Sequence, residues 1–261
     1  MDDAERPDLD LLTTGLFERH LHTLTTPEFL RAARALSARY VEARQRLHAR
    51  SPLDSAGKRA AFAVLYGAIH YETTRAITRE LGLASNSVGR IVDLGCGTGA
   101  ASAGWARAST PRPSVEGIDR SGWAVTEARW TWSRLGLTGR ATRGDLVAAA
   151  ERLTRQPRQA LAATGVLLAW AVNELVPRER DPLLAHLMTL GQLGARVLVI
   201  EPVSGRAAPW WDTWARAVVE SGGRADAWQV PNTLPAALRR LDRQAGFDRP
   251  HLSARSLLLP A

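Results

Sequence analysis

Three carboxylates and a cluster of glycines hold the chemistry that this sequence can do. Asp93 stands ahead of Gly95, Gly97 and Gly99 in the run Val92-Asp93-Leu94-Gly95-Cys96-Gly97-Thr98-Gly99. Glycines at alternate positions leave a loop almost bare of side chains, so a ligand can lie directly against backbone amides. Ala100 and Ala101 then begin a helix-forming segment, whose N-terminus favours negative charge or polar oxygens. Asp119 and Asp145 follow, each at the end of a strand-like stretch. Two nucleotide readings compete. Gly95-x-Gly97-x-x-Ala100 satisfies a loose dinucleotide fingerprint, with Asp119 as the second-strand acid. Asp93, however, lies where it reaches an amino group or a bridging water. A nicotinamide cofactor has no cationic amino group at that end, whereas S-adenosylmethionine carries an α-ammonium.

The elements that must position these groups alternate in type. Ile91 and Val92 are β-branched and flanked by turn formers, which predicts a buried strand. Further strands are expected at 114–119, 140–145, 165–172 and 195–202, separated by helices at 122–135 and 182–193. That order predicts a doubly wound, mostly parallel α/β sheet with right-handed crossovers. A helix near 210–220, a strand near 226–230, a helix near 235–245 and a strand near 253–259 add a final hairpin, seven strands in all. Ahead of the sheet, Phe29, Ala33, Leu36, Tyr40 and Leu47 fall at helical spacing with arginines on the opposite face. Ser51 and Pro52 break that helix, and a second runs from about Lys58 to Leu83, stopped by Gly82 and Asn86. Residues 1–26 show no sustained period and are expected to form a partly ordered lead-in. The chain therefore divides into a helical N-terminal extension, 1–86, and a cofactor-binding domain, 87–261.

On Val92 through Gly99 the chain resembles the class I S-adenosylmethionine-dependent methyltransferases, a Rossmann-like family. The likeness recurs at Gly117-Ile118-Asp119, at Arg143-Gly144-Asp145-Leu146, and at Ala169-Trp170-Ala171-Val172-Asn173-Glu174-Leu175. It implies S-adenosyl-L-methionine as cofactor. Asp93, Gly95, Cys96, Gly97, Thr98 and Gly99 would hold its methionine half, and Asp119 with Arg120 its ribose. Asp145 and Leu146 would hold its adenine, and Trp170 and Tyr71 would complete the pocket. Leu36-Ser37-Ala38-Arg39-Tyr40, Ala68-Ile69-His70-Tyr71-Glu72 and Val199-Ile200-Glu201-Pro202 are similar to a narrower group, the ribosomal small-subunit methyltransferase-like proteins of mitochondrial ribosome assembly. Members of that group commonly carry a C-terminal cysteine cluster; here Cys96 is the single cysteine, so neither a disulfide nor a cysteine-based iron–sulfur or zinc site forms within one chain.

Composition narrows the partners. The 261 residues carry a formal charge of +8, and with Lys58 the one lysine, 33 of 34 basic side chains are arginine. Such a balance suits a nucleic-acid partner such as RNA, although one-sided arginine usage is also a genome-wide habit, and the narrower resemblance implies the ribosomal small subunit as partner. No apolar run approaches a membrane span, the acidic start is unlike a signal peptide, and no metal-ligand spacing appears among the six histidines, so a cytoplasmic protein is expected. On the acceptor side, Asn173 and Glu174 are the candidate catalytic residues. His70 is expected to close over the site. Trp210 and Trp214 share one helical face beyond the fifth strand and are the candidate stacking platform for a flat acceptor. The acceptor is accordingly RNA or a ribosome-associated target; a small aromatic or heterocyclic metabolite, or a non-catalytic assembly role, are the alternatives.

Overall fold

The computed structural model describes residues 6–42, 53–85, 88–204 and 208–260. Its centre is strand β1 (Arg90–Leu94), flanked by β2 (Ser114–Asp119), β3 (Gly139–Arg143), β4 (Thr164–Ala169), β5 (Arg196–Glu201), β6 (Arg224–Pro231) and β7 (His251–Leu258). They form one sheet in the order β3-β2-β1-β4-β5-β7-β6. β1 through β5 are parallel, and β7 runs antiparallel to both β5 and β6. This is the seven-stranded, mostly parallel α/β architecture expected from the alternation of elements.

The apolar runs are nearly continuous because both faces of the sheet are covered. Along β4 and β5 alternate residues enter different cores. Leu167, Leu198 and Ile200 face one; Val166, Leu168, Val197 and Val199 face the other. The second core is closed by α7 (Leu146–Thr154), α9 (Pro177–Gln192) and α10 (Trp211–Glu220). The first is closed by α5 (Ala100–Ala108), α6 (Gly122–Arg134) and the amino-terminal helices. The short α8 (Arg158–Ala162) leads into β4, and α11 (Ala236–Gln244) lies between β6 and β7.

The expected lead-in is instead a 15-residue helix, α1 (Arg6–His20). Leu9, Leu12 and Leu16 are spaced by three and four residues, and all three are buried. Its ends are tied by ion pairs: Arg107 Nε donates to Asp8 at 2.6 Å, and Arg19 and His20 converge on buried Glu127 of α6. α2 (Thr26–Glu42) buries Phe29, Ala33 and Leu36 as its period requires. The side chain of Tyr40, together with Arg44, Leu47, the break at Ser51 and Pro52 and the stop at Asn86, lies outside the described residues. The second helix runs as α3 (Ala56–Ala61), a π-helical turn (Phe62–Tyr66) and α4 (Gly67–Glu80) without interruption. A π turn carries an extra residue, and it sets Phe62, Tyr66 and His70 along one side, in mutual ring contact.

One indole fixes the glycine loop to the sheet. Trp132 of α6 is fully buried and donates from Nε1 to the Gly99 carbonyl at 2.9 Å. A Cβ at Gly99, Gly117 or Gly139 would lie within 3 Å of its ring, so three glycines from three elements give it room. Trp132→Phe is expected to cost about 1 kcal/mol for the lost hydrogen bond and Trp132→Ala about 3–5 kcal/mol, read as shifts in denaturant midpoint.

Candidate active site

The site opens at the carboxyl ends of β1, β2 and β4, where ligands bind in doubly wound sheets. It is a cleft of about 1090 Å³. Gly95 and Gly99 both have left-handed backbones, φ 80° and 72°, a conformation that favours glycine. Space also requires glycine at 95, since a Cβ there would stand 2.7 Å from that of Ala171. Cys96, Gly97 and Thr98 line the cleft with them. Burial pushes the Cys96 thiol well up, which makes it a filler rather than a nucleophile.

Asp119 is held by backbone donors on both oxygens: Gly97 N at 2.9 Å and Ser121 N at 2.8 Å. The carboxylate therefore links the glycine loop to the end of β2, and burial raises its pKa. Asp93 is different. It is almost wholly buried at the end of β1, lines the cleft, and neither carboxylate oxygen has a hydrogen-bond partner. Burial raises its pKa to about 7; nearby Ser102 of α5, whose hydroxyl donates to the Gly99 carbonyl at 3.2 Å, opposes the rise, and the Asp119 charge adds to it. A buried, unpartnered carboxylate facing a cleft fits a ligand that brings its own cation and donors.

Other expected residues are placed less simply. Gly144 and Leu146 line the cleft, and Asp145 between them is not among its lining residues. Its Oδ1 caps α7 by accepting from Ala148 N at 2.9 Å, and its other oxygen pairs with Arg120, which also meets Glu179 at 2.9 Å. Asp145 is thus a helix cap and ion-pair partner. Tyr71 of α4 is not among the lining residues either: it is buried in the core, where a Cβ at Gly104 would stand 2.2 Å from its carbonyl. Trp210 and Trp214 are in the core under α10, with ring centroids 4.6 Å apart. Their helix packs its aromatic face onto the sheet, which removes them from the cleft.

The aromatic surface that does face the cleft comes from elsewhere. Trp170, at the end of β4, has φ 55°, an uncommon backbone for a bulky residue. Its ring stacks on His70, centroids 3.8 Å apart and planes 7° from parallel. Burial lowers the His70 pKa to about 3, with Arg249 adding to the fall, so the imidazole is neutral. Phe62 and Tyr66 extend this wall. Asn173 and Glu174 form a 3-10 turn after β4 and line the cleft. Arg249 and His251 arrive from the start of β7. Arg249 is anchored by buried Asp242 of α11 and lies 4.5 Å from the Phe247 ring centroid. Sequence reasoning missed Phe62, Tyr66, Arg249 and His251. A helical period covers the first two, and the last pair lies more than 70 residues from the fourth-strand motif, with no local signal.

The methyltransferase small domain family profile matches residues 73–172. Comparison with curated proteins finds no match. Among solved structures, the chain is similar to the plantazolicin methyltransferase BpumL in complex with S-adenosylhomocysteine. Identity is 12%, coverage 89% of this chain and 96% of that one, and the TM-score 0.50. It is also similar to the plantazolicin methyltransferase BamL, crystallised with a triazolic desmethylPZN analog and S-adenosylhomocysteine (10%, 88%, 98%, TM-score 0.47). A third is a SAM-dependent methyltransferase from Aquifex aeolicus (15%, 73%, 90%, TM-score 0.44). The matched domain and the sheet order support a class I S-adenosylmethionine-dependent methyltransferase. Among the described residues of this methyltransferase, no group of three His, Cys, Asp or Glu is placed to hold a metal ion, and no helix is long and apolar enough to cross a membrane.

The raised pKa of Asp93 gives a signed expectation. The folded protein holds a proton up to about pH 7, whereas a model carboxyl releases it near 3.8. This group's contribution to stability is therefore greatest below pH 3.8 and falls as pH rises to about 7. Asp93→Asn should abolish that fall, seen as a smaller difference between urea midpoints at pH 5 and pH 8 than in the wild-type methyltransferase.

Proposed function

We propose that this methyltransferase modifies a flat, nitrogen-bearing heteroaromatic group, a nucleobase of RNA being the first candidate. The carrying observation is the neutral His70–Trp170 stack that walls the cleft beside Asn173. Such a surface receives a planar ring by stacking, worth roughly 1–3 kcal/mol for a base. Arg59 and Arg178 are exposed on the cleft's lining and Arg249 is half-buried there, set among the carboxylates of Asp54, Glu174 and Glu179; these arginines are the groups that would meet a phosphate. Ahead of β1, the extension would serve as the wall of the acceptor side, since Ser37, Phe62 and His70 all line the cleft.

The unpartnered Asp93 at the glycine loop supports a place for the cofactor there. Asp93 would accept from the α-ammonium of the methionine half, with the amides of Gly95, Gly97 and Gly99 alongside. Asp119 would receive the ribose hydroxyls, and Gly144 and Leu146 would flank the adenine. When bound, S-adenosylmethionine supplies a methyl group on a cationic sulfur that departs as a neutral thioether with the bonding pair. The protein's own task is then positioning and exclusion of water. Asn173 holds the acceptor edge, and Glu174, exposed at the mouth, takes the proton that the methylated nitrogen releases.

A small heteroaromatic metabolite is the second reading. It is favoured by the walling of the cleft by α2, the π turn and β7, which would seat a free molecule. Incubation with methyl-labelled cofactor and separated RNA, protein and small-molecule extracts decides between them: label in RNA supports the first reading, label confined to small molecules the second. Asp119→Ala should weaken S-adenosylhomocysteine binding by at least about tenfold in calorimetry. Asp145→Ala should leave it nearly unchanged and lower stability by about 1 kcal/mol through the lost cap.

A further inference from the structure

Two helices beside the cleft turn arginines outward from a buried inner stripe. Along α11, Leu238 and Asp242 are buried while Arg239, Arg240 and Arg243 are exposed. Residues three and four apart share a helix face, so the three guanidinium groups form one row. Along α2, Phe29, Ala33 and Leu36 are buried and Arg31 and Arg34, three apart, are exposed. The rows meet where Arg34 Nη1 stands 3.4 Å from the carbonyl of Gln244, the last residue of α11.

The described acids of these helices do not neutralise the row. Asp242 points inward, where it accepts from the Arg249 backbone N–H at 3.1 Å and pairs with the Arg249 guanidinium in the cleft. Glu28, at the start of α2, accepts from the N–H and hydroxyl of Thr25 at 2.9 and 2.7 Å. Asp248 is exposed just past α11. Among the described residues Arg239, Arg240 and Arg243 make no ion pair. The face is also charged without being apolar. Ala35, Ala38, Ala236 and Ala237 are its exposed neighbours, and the exposed large apolar side chains among the described residues, Leu11, Val203 and Val219, lie on other segments. A stable protein interface has an apolar centre and a membrane-bound helix inserts apolar side chains. A row of unpaired arginines with neither suits a partner that is itself a repeated anion.

We propose that the outer faces of α11 and α2 form a docking surface for the phosphate backbone of RNA, holding a strand beside the cleft while one base enters it. This rests on the reading of RNA as the methyl acceptor and adds the place where the rest of the strand is held. Arg249, tied to α11 through Asp242, continues the row into the cleft. A base must leave its stack to be modified, and a strand gripped through its phosphates keeps its bases free to do so.

The test uses the full chain and the fluorescence anisotropy of a short single-stranded RNA of mixed sequence. One variant combines Arg239→Gln, Arg240→Gln and Arg243→Gln. A second combines Arg112→Gln, Arg152→Gln and Arg216→Gln, exposed arginines of other segments, and loses the same charge. Both should keep the wild-type urea midpoint and S-adenosylhomocysteine affinity. The first variant should bind RNA at least about tenfold more weakly and lower the slope of log K against log salt by about 2. The second should stay within about twofold of wild type at about 0.15 M salt, where charges more than about 8 Å apart are screened. Equal weakening in the two variants would mean that net charge alone is at work and would overturn the inference. So would a wild type that binds no RNA, or RNA binding kept in the first variant while binding to phosphatidylserine vesicles or polyglutamate is lost. Methyl label tests the acceptor separately: RNA held through these arginines, with label confined to small molecules, overturns the acceptor reading and leaves the docking surface.

Discussion

The hydrogen bond from the Trp132 indole to the Gly99 carbonyl is the constraint on which the cofactor side depends. It ties the first turn of α5 to α6, and it can exist because Gly99, Gly117 and Gly139 leave the ring its volume. With the loop pinned from below, the Gly97 amide is presented to Asp119 from above. Loop, second strand and helix thus form one closed circuit around β1. Within that circuit the Asp93 carboxylate is left unsatisfied, an arrangement that stores an electrostatic penalty until a cationic group relieves it.

The acceptor side is organised by shape. A π turn lets one helix carry Phe62, Tyr66 and His70 on a common side, and the left-handed Trp170 backbone brings its ring flat against His70. Opposite them, Glu201 holds the turn after β4 by hydrogen bonds to Val172 and Asn173. The two sides meet at Asn173.

The strands were legible because parallel pairing writes itself as short apolar runs between helical stretches, and the glycine loop because its spacing has few uses. Asp93 and Asp119 follow from strand ends and lie where expected in the cleft. Asp145 shows the limit of a motif: its position after the third strand was readable, yet capping α7 and pairing with Arg120 claim its carboxylate. The same holds for Trp210 and Trp214, where a helical period shows a shared face but not whether that face meets substrate or sheet. α1 was missed because Thr13, Thr14 and Gly15 blur its apolar period, and its stability comes from contacts with residues about a hundred positions away. Arg249 and His251 were invisible because their place depends on the start of β7, where His251 pairs with Pro231 of the edge strand β6.

That edge pairing has a consequence in time as well as in space. The loop, Asp119 and Gly144 lie within about fifty residues of one another and are joined by adjacent parallel strands. The wall of the acceptor side draws on residues near 66, 170 and 250, so closing it waits for the last strand of the chain. During synthesis the residues of the donor pocket leave the ribosome well before the last of those that wall the acceptor side.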